Sequence, residues 1–277
     1  MPGANSVTSN QETIHKDLEK VVRKYAATVF LRPIADHTRK AFAEAEAFVK
    51  TFYGTVEKAD PGTVVGVTSE KAAGKADPAT VCGVTALTVN AAECAPFSVI
   101  LDSGCGTGES TIHIARRFPN IPVIGIDKSC DRLNKAGNPV QTAGEDVPRN
   151  AFWIRAELLD FWRLALDRVK AGEWAIPYHA VFYPNPWPKQ SEATRRFHMH
   201  PIFPTLLALG QVTELRTNWE IYAREFAEAA RIVYECTASS AHAQITCKSF
   251  EPTAPETAFE RKYKEAGQTL WRVIIEN

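Results

Sequence analysis

The chain has 277 residues, 45% of them hydrophobic, enough to bury the core of one full-sized domain with an appended segment. Its 32 basic side chains are balanced by 32 acidic ones, which excludes a body that is basic all round; any nucleic-acid contact must come from a local patch. Six scattered cysteines (Cys82, Cys94, Cys105, Cys130, Cys236, Cys247) form no C-x-x-C pair, no run of about 18 apolar residues occurs, and residues 1–25 lack an apolar signal core. A disulfide framework, a zinc site, a membrane span and secretion are therefore not expected, and a reducing cytoplasmic setting is.

In chain order, residues 1–10 are small and polar and predict an unordered start. From Lys16 to about Lys50, Leu18, Val21, Val22 and Tyr25, then Phe42, Ala45 and Phe48, recur at helical spacing around a break at Pro33. Two helices are expected, making residues 1–95 a helical extension with a mobile, Gly- and Pro-rich insertion at about 54–82. The main domain, 96–277, opens with a strand from Phe97 to Leu101. A Gly-rich loop follows, and then a helix bearing Thr111, Ile114, Ala115 and Phe118. Further strands are predicted at Val123–Ile126, Phe152–Ala156, Ala180–Tyr183, Val212–Arg216, Gln244–Phe250 and Leu270–Ile275. Between them lie helical faces at Leu158–Val169, ended by Gly172, and at Trp219–Val233. This alternation predicts an α/β fold with a doubly wound, mostly parallel sheet of seven strands.

Ligands of open α/β sheets bind beyond the carboxyl ends of the strands, so the residues just after each strand carry the candidate chemistry. After the first comes Asp102-Ser103-Gly104-Cys105-Gly106-Thr107-Gly108. Its glycines permit a tight turn and let backbone N–H groups approach a ligand, although a plain turn is the alternative. Asp127, after the second strand, can accept both hydroxyls of a ribose or cap the next helix. Glu157, after the third, can accept from an adenine amino group or stand solvated at a helix start. Three acidic strand ends suit adenosine bearing a cationic sulfonium better than a pyrophosphate. The fourth strand ends in Tyr183-Pro184-Asn185-Pro186-Trp187-Pro188-Lys189, where three prolines stiffen a loop suited to a base pocket. Trp187 offers a stacking surface there. Lys189, Arg195, Arg196, His198 and His200 form a candidate phosphate patch, with a solvated proline-rich loop as the alternative.

Together these residues resemble the tRNA guanine-N7 methyltransferases, a Rossmann-like class I family dependent on S-adenosylmethionine. The family's motifs include an acidic-x-Gly-x-Gly-x-Gly loop, an acid after the second strand, and Asp-Pro-Trp-Pro-Lys followed by basic residues. Leu215-Arg216-Thr217-Asn218-Trp219 is similar to its Thr-Asp or Thr-Asn segment before a helix, and Pro255-Glu256-Thr257-Ala258-Phe259-Glu260-Arg261 to its Thr-x-Phe-Glu segment. The resemblance runs from about Phe97 to Ile275. It implies that Asp102, Gly104, Asp127 and Glu157 hold S-adenosylmethionine, and Gly106, Gly108 and Asn185 are further candidate cofactor contacts. It further implies tRNA as substrate, touched by Lys189, Asn218, Thr257 and Glu260, to which Trp187, Arg195 and Arg196 are added as candidate substrate contacts; no metal is expected. Family members act alone or with a repeat-protein subunit. Asn218 has an alternative as the cap of the helix from Trp219, and Glu260 as a surface partner of Lys264.

The chain departs from the family at Asn185, which stands where the family has its functional aspartate and is the candidate catalytic residue. Guanine N7 presents an unprotonated lone pair, so transfer needs alignment and no general base. A neutral amide, however, does not stabilise the positive charge that develops on the ring. Asn-Pro-Trp also resembles the Asn-Pro-Pro-aromatic loop of amino-group methyltransferases, which makes methylation of an exocyclic nitrogen the second expectation. A tRNA-binding homologue without turnover is the third.

Overall fold

In the computed structural model, residues 7–59, 65–68, 85–88, 96–136, 147–237 and 243–277 are described. The two expected helices are α1 (Leu18–Ala26) and α2 (Asp36–Ala59), separated by a turn that contains Pro33. Helix α2 continues well past residue 54, because Ala-rich sequence without Gly or Pro carries it to Tyr53, and the single Gly54 is tolerated within it. The expected insertion therefore starts later. Inside it, β1 (Val65–Thr68) and β2 (Thr85–Thr88) pair as an antiparallel ribbon. Val and Thr favour extended backbone even where large apolar side chains are few. The expectation for residues 1–6, and those for Cys82 and Cys94, lie outside the described residues.

The expected first strand is two pieces, β3 (Phe97–Ser98) and β4 (Ile100–Ser103). After them come α3 (Glu109–Arg117), β5 (Val123–Asp127), α4 (Cys130–Leu133), β6 (Ala151–Arg155), α5 (Leu158–Lys170), β7 (Trp174–Ala175) and β8 (Tyr178–Phe182). The chain closes with α6 (Phe203–Leu207), β9 (Val212–Thr217), α7 (Glu220–Thr237), β10 (Gln244–Phe250), α8 (Ala258–Glu265) and β11 (Leu270–Glu276). β3 leaves the main sheet to pair with β7, a strand too short to show in the sequence.

The seven-stranded sheet has the order β10-β11-β9-β8-β4-β5-β6. All pairs are parallel except the two made by β11, which lies antiparallel to β9 and β10. Strands β4, β5 and β8 are buried at every residue, as strands covered by helices on both faces must be, and so read as unbroken apolar runs. Gly172, with φ 71°, follows the end of α5 and lets the chain reverse into β7.

The N-terminal helices are integral to this layer structure. Leu18, Val22, Phe42, Ala45 and Val49 belong to the same buried cluster as Phe161, Trp162, Phe203 and Phe226. Phe42 packs edge-on to Phe161 with ring centroids 5.0 Å apart. Burying side chains of this size contributes roughly 1.5–3 kcal/mol each, so the extension is held to the sheet by its own apolar face. Among the described residues, no helix is long and apolar enough to cross a membrane.

Two buried histidines make the fold acid-sensitive. His179 on β8 bonds Ser103 Oγ at 2.9 Å, and burial pushes its pKa down to about 3 from 6.5. Burial also lowers His198. His179 stays neutral in the fold and His198 protonates later than in the unfolded chain, so the stability they supply is present above 6.5 and is lost as pH falls below it. Asp102, pushed up to about 6 by burial, works in the opposite direction between 6 and 3.8 and offsets part of that loss. The expected result is a melting temperature that falls steadily from pH 6.5 towards pH 4; a flat profile across that range contradicts it.

Candidate active site

The Gly loop begins where β4 ends. Gly104, Gly106 and Gly108 all have positive φ (82°, 61° and 82°), a region costly for other residues. A Cβ at Gly106 would meet nothing within 4 Å, and one at Gly104 would meet only Leu158, at 4.0 Å, so this side of the loop is open to a ligand. Gly108 is different: a Cβ there would lie 2.3 Å from Trp153 Nε1, so its glycine also serves packing. Asp102 is 1% exposed, and its Oδ2 accepts from Ser110 Oγ and Thr111 Oγ1, both at 2.7 Å. It thereby ties the loop to the first turn of α3. Burial raises its pKa most, and the charges of Glu256 and Asp127 add to the rise.

Asp127 ends β5 with one oxygen turned to the Gly loop and the other to the start of α4. Oδ1 accepts from Ser129 N at 2.7 Å and Arg132 Nη2 at 2.9 Å, and Oδ2 from Gly106 N at 3.1 Å. Ser129, rather than Asp127, caps the next helix. Arg132 is half exposed and can swing aside for a competing hydroxyl. Glu157 stands at the start of α5 and makes no cap bond with its side chain; its backbone N donates to Thr38 Oγ1 on α2. Open space at Gly104 and Gly106, with the carboxylates of Asp127 and Glu157 at the next two strand ends, fits an adenosyl group, while Asp102 is buried and acts through the loop.

Strand β8 pairs with β4, with Ala180 opposite Asp102, so the Asn185 loop emerges beside the Gly loop at the same sheet edge. Tyr183 and Trp187 have φ of 49° and 44°, left-handed conformations rare for such residues and held only where surroundings enforce them. Asn185 lies exposed between them, and its Oδ1 accepts from Trp187 N at 3.2 Å in an Asx turn. The guanidinium of Arg195 sits 3.8 Å from the centroid of the Trp187 ring, so one face of the indole is already covered. Lys189 and Arg195 are exposed, as a phosphate contact requires.

The rest of the expected basic patch is not on the surface. Arg196 is 0% exposed: its guanidinium pairs with Glu225 at 2.6 Å and donates to the carbonyls of Pro186 and Trp187, with no group left for a phosphate. His198 is buried with it, its Nε2 2.9 Å from Glu225 Oε2. His200 is half-buried; burial first, then the charge of Arg32, lowers its pKa, so it adds no charge at neutral pH.

The C-terminal segment corrects a further expectation. Thr257 caps α8, its Oγ1 accepting from Glu260 N at 3.0 Å, while Glu260 Oε2 accepts from Glu256 N. Thr257 thus caps the helix, and the Glu260 carboxylate reaches back to the residue before the cap. Glu260 is 0% exposed and is neither a surface partner of Lys264 nor able to touch RNA. It accepts from Arg216 Nη1 at 3.0 Å and from Tyr183 Oη at 3.1 Å, bracing the Asn185 loop from that side. Lys264 donates instead to Pro252 O. Asn218 is half-buried and donates to Gln268 Oε1 at 2.9 Å; Thr217 Oγ1, not Asn218, accepts from Trp219 N.

Comparison with known proteins bears on this geometry. The sequence profile of a family described as "putative methyltransferase" matches residues 97–273, from the first strand of the main domain into the last. The chain belongs to this methyltransferase family. Its relatives include the tRNA (guanine-N(7)-)-methyltransferases of Neisseria meningitidis serogroup C, 28% identical over 64% of this chain and 70% of that protein, and of Treponema pallidum, 29% identical over 67% and 69%.

Several working parts of the methyltransferase escape a reading of strand ends. Tyr183, Arg216, Glu225 and Gln11 together fix the Asn185 loop, and only two of them gave any signal. Arg216 sits inside a fully buried strand, and Glu225 lies on the apolar face of α7 with Tyr222 and Phe226; each needs a buried partner of opposite charge. Gln11 and Tyr183 gave none.

Proposed function

We propose that this methyltransferase transfers the methyl group of S-adenosylmethionine to N7 of a guanine in tRNA. The observation that carries the reading is the placement of the Gly104–Gly108 loop and the Asn185 loop on neighbouring parallel strands at one sheet edge. The relatives named for this reaction supply the substrate class. When bound, the cofactor supplies an electrophilic methyl group on a positively charged sulfur. Asp127 would accept from the ribose hydroxyls in place of Arg132, Glu157 would accept from the adenine amino group, and the N–H groups of the Gly loop would face the methionine portion. The stiff loop with Asn185 and the free face of Trp187 orients the guanine so that its N7 lone pair lies in line with the methyl group. No proton has to be removed from N7.

The relatives named for guanine-N7 transfer favour that reaction over methylation of an exocyclic amine. Lys189 and Arg195 contact phosphate, with Asn218 and Thr257 nearby on the same edge. Binding of tRNA is then expected to weaken as salt rises. Lys189→Ala and Arg195→Ala should each reduce the slope of log K against log salt by about one. Titration of tRNA at a series of salt concentrations checks this, and salt-independent binding contradicts it. Calorimetric titration with S-adenosylmethionine tests the cofactor assignment: absence of binding overturns the enzyme reading.

A further inference from the structure

The segment before α1 makes contacts that nothing in the proposed chemistry has used. Ser9 Oγ donates to the carbonyl of Pro188 at 2.7 Å, across 179 residues of sequence. Gln11, which is buried, accepts from Arg196 Nη2 at 3.0 Å and donates to Glu225 Oε1 at 2.6 Å. His15 N donates to the same carboxylate oxygen at 2.8 Å. Arg196, gripped in this way, places Nε 3.1 Å from Pro186 O and Nη2 2.9 Å from Trp187 O.

The chemistry of the loop explains why it needs such a grip. Pro186 and Pro188 have no N–H, so a neighbour must hold the loop chiefly by its carbonyl oxygens. Three consecutive carbonyls, those of Pro186, Trp187 and Pro188, are all taken, two by Arg196 and one by Ser9. Trp187 is in a conformation that persists only when its surroundings fix it. On the far side the loop is braced by Glu260 through Tyr183, so the N-terminal contacts are one jaw of a clamp.

We propose that residues Ser9–His15 are a positioning element of the acceptor site, holding the Asn185 loop at the distance methyl transfer requires. The inference rests on the reading of Asn185 and its loop as the guanine-positioning device. Ser9 and Gln11 touch neither cofactor nor RNA; they act through Arg196 and the loop carbonyls. Their loss should slow the transfer step and leave cofactor binding in place, since the Gly loop and Asp127 lie on other strands. A displacement of the order of 1 Å at a reacting group can cost about a hundredfold in rate.

The test uses the full chain with Ser9→Ala, Ser9→Thr and the pair Ser9→Ala plus Gln11→Met, which keeps the volume of Gln11 and removes its hydrogen bonds. Two readouts are taken: single-turnover methyl transfer to unmodified tRNA, and amide hydrogen exchange at Tyr183, Asn185, Trp187 and Lys189. The double variant is expected to exchange faster at these amides with α7 still protected. It should also transfer about tenfold or more slowly, with the Kd for S-adenosylmethionine and the KM for tRNA little changed. Ser9→Thr, which keeps the hydroxyl, should behave as the parent does. Unchanged loop exchange in the double variant overturns the inference, and so does a rate loss matched by an equal loss of cofactor binding. If loop exchange rises but the unsubstituted protein does not methylate tRNA, the clamp stands and the reading of the reaction falls.

Discussion

Asn185→Asp is expected to raise single-turnover methyl transfer to tRNA by about tenfold or more, the equivalent of roughly 1.4 kcal/mol in the barrier. The backbone should not notice the change. Trp187 N bonds the side-chain oxygen of residue 185, and aspartate presents an oxygen in the same place, so the Asx turn and the left-handed Trp187 are retained. What changes is the second terminal atom, from an amide NH2 to a carboxylate oxygen at an exposed position facing the acceptor. As the guanine ring gains positive charge in the transition state, that carboxylate attracts it and the amide does not. Solvent screening at an exposed site keeps the gain near the lower end of such effects. The Kd for S-adenosylmethionine is expected to change less than the rate. A fall in rate would contradict this account and would mean that the pocket is built around the amide.

Glu260→Ala is expected to destabilise the protein by about 3–5 kcal/mol, the usual cost of stranding one partner of a buried ion pair. Arg216 would keep Glu214 at 2.6 Å but lose the carboxylate that neutralises its other edge, and Tyr183 Oη would lose its acceptor. The cap of α8 would be weakened as well, because the carboxylate also accepts from Glu256 N. A loss of this size lowers the melting temperature of a chain this long by roughly 10 °C. Glu260→Gln, which keeps an acceptor for Tyr183, should be milder. Affinity for tRNA, measured well below the melting point, should scarcely move in the Gln variant, because Glu260 is walled off from solvent. A large affinity loss without a stability loss would restore Glu260 to the RNA-contacting set.

These two residues mark the boundary of what the sequence discloses. The main-sheet strands β5, β6 and β8, and the loops that follow them, were legible because they are short, largely apolar runs whose ends are punctuated by Gly, Pro or an acid. Side-chain direction is not written in that pattern. Lys189 and Arg195 face solvent, yet Arg196, the next residue, points inward to a carboxylate on a helix 29 positions away. Glu260 is an RNA contact or a surface partner of Lys264 by sequence, because nothing in Thr-x-Phe-Glu signals burial; its actual role depends on Arg216 from a distant strand. The contribution of Ser9 and Gln11 was invisible for the same reason, since polar residues ahead of a helix carry no periodicity to expose what they touch. β1, β2 and β7 were missed because strands of two to four residues are too short for a period to show.

The central claim is tested most directly by incubating the protein with unmodified tRNA and S-adenosylmethionine labelled on its methyl group, digesting the RNA, and identifying the labelled nucleoside by mass spectrometry. The label is expected in 7-methylguanosine. Label in an exocyclically methylated nucleoside, or none from protein that binds the cofactor, would contradict the account.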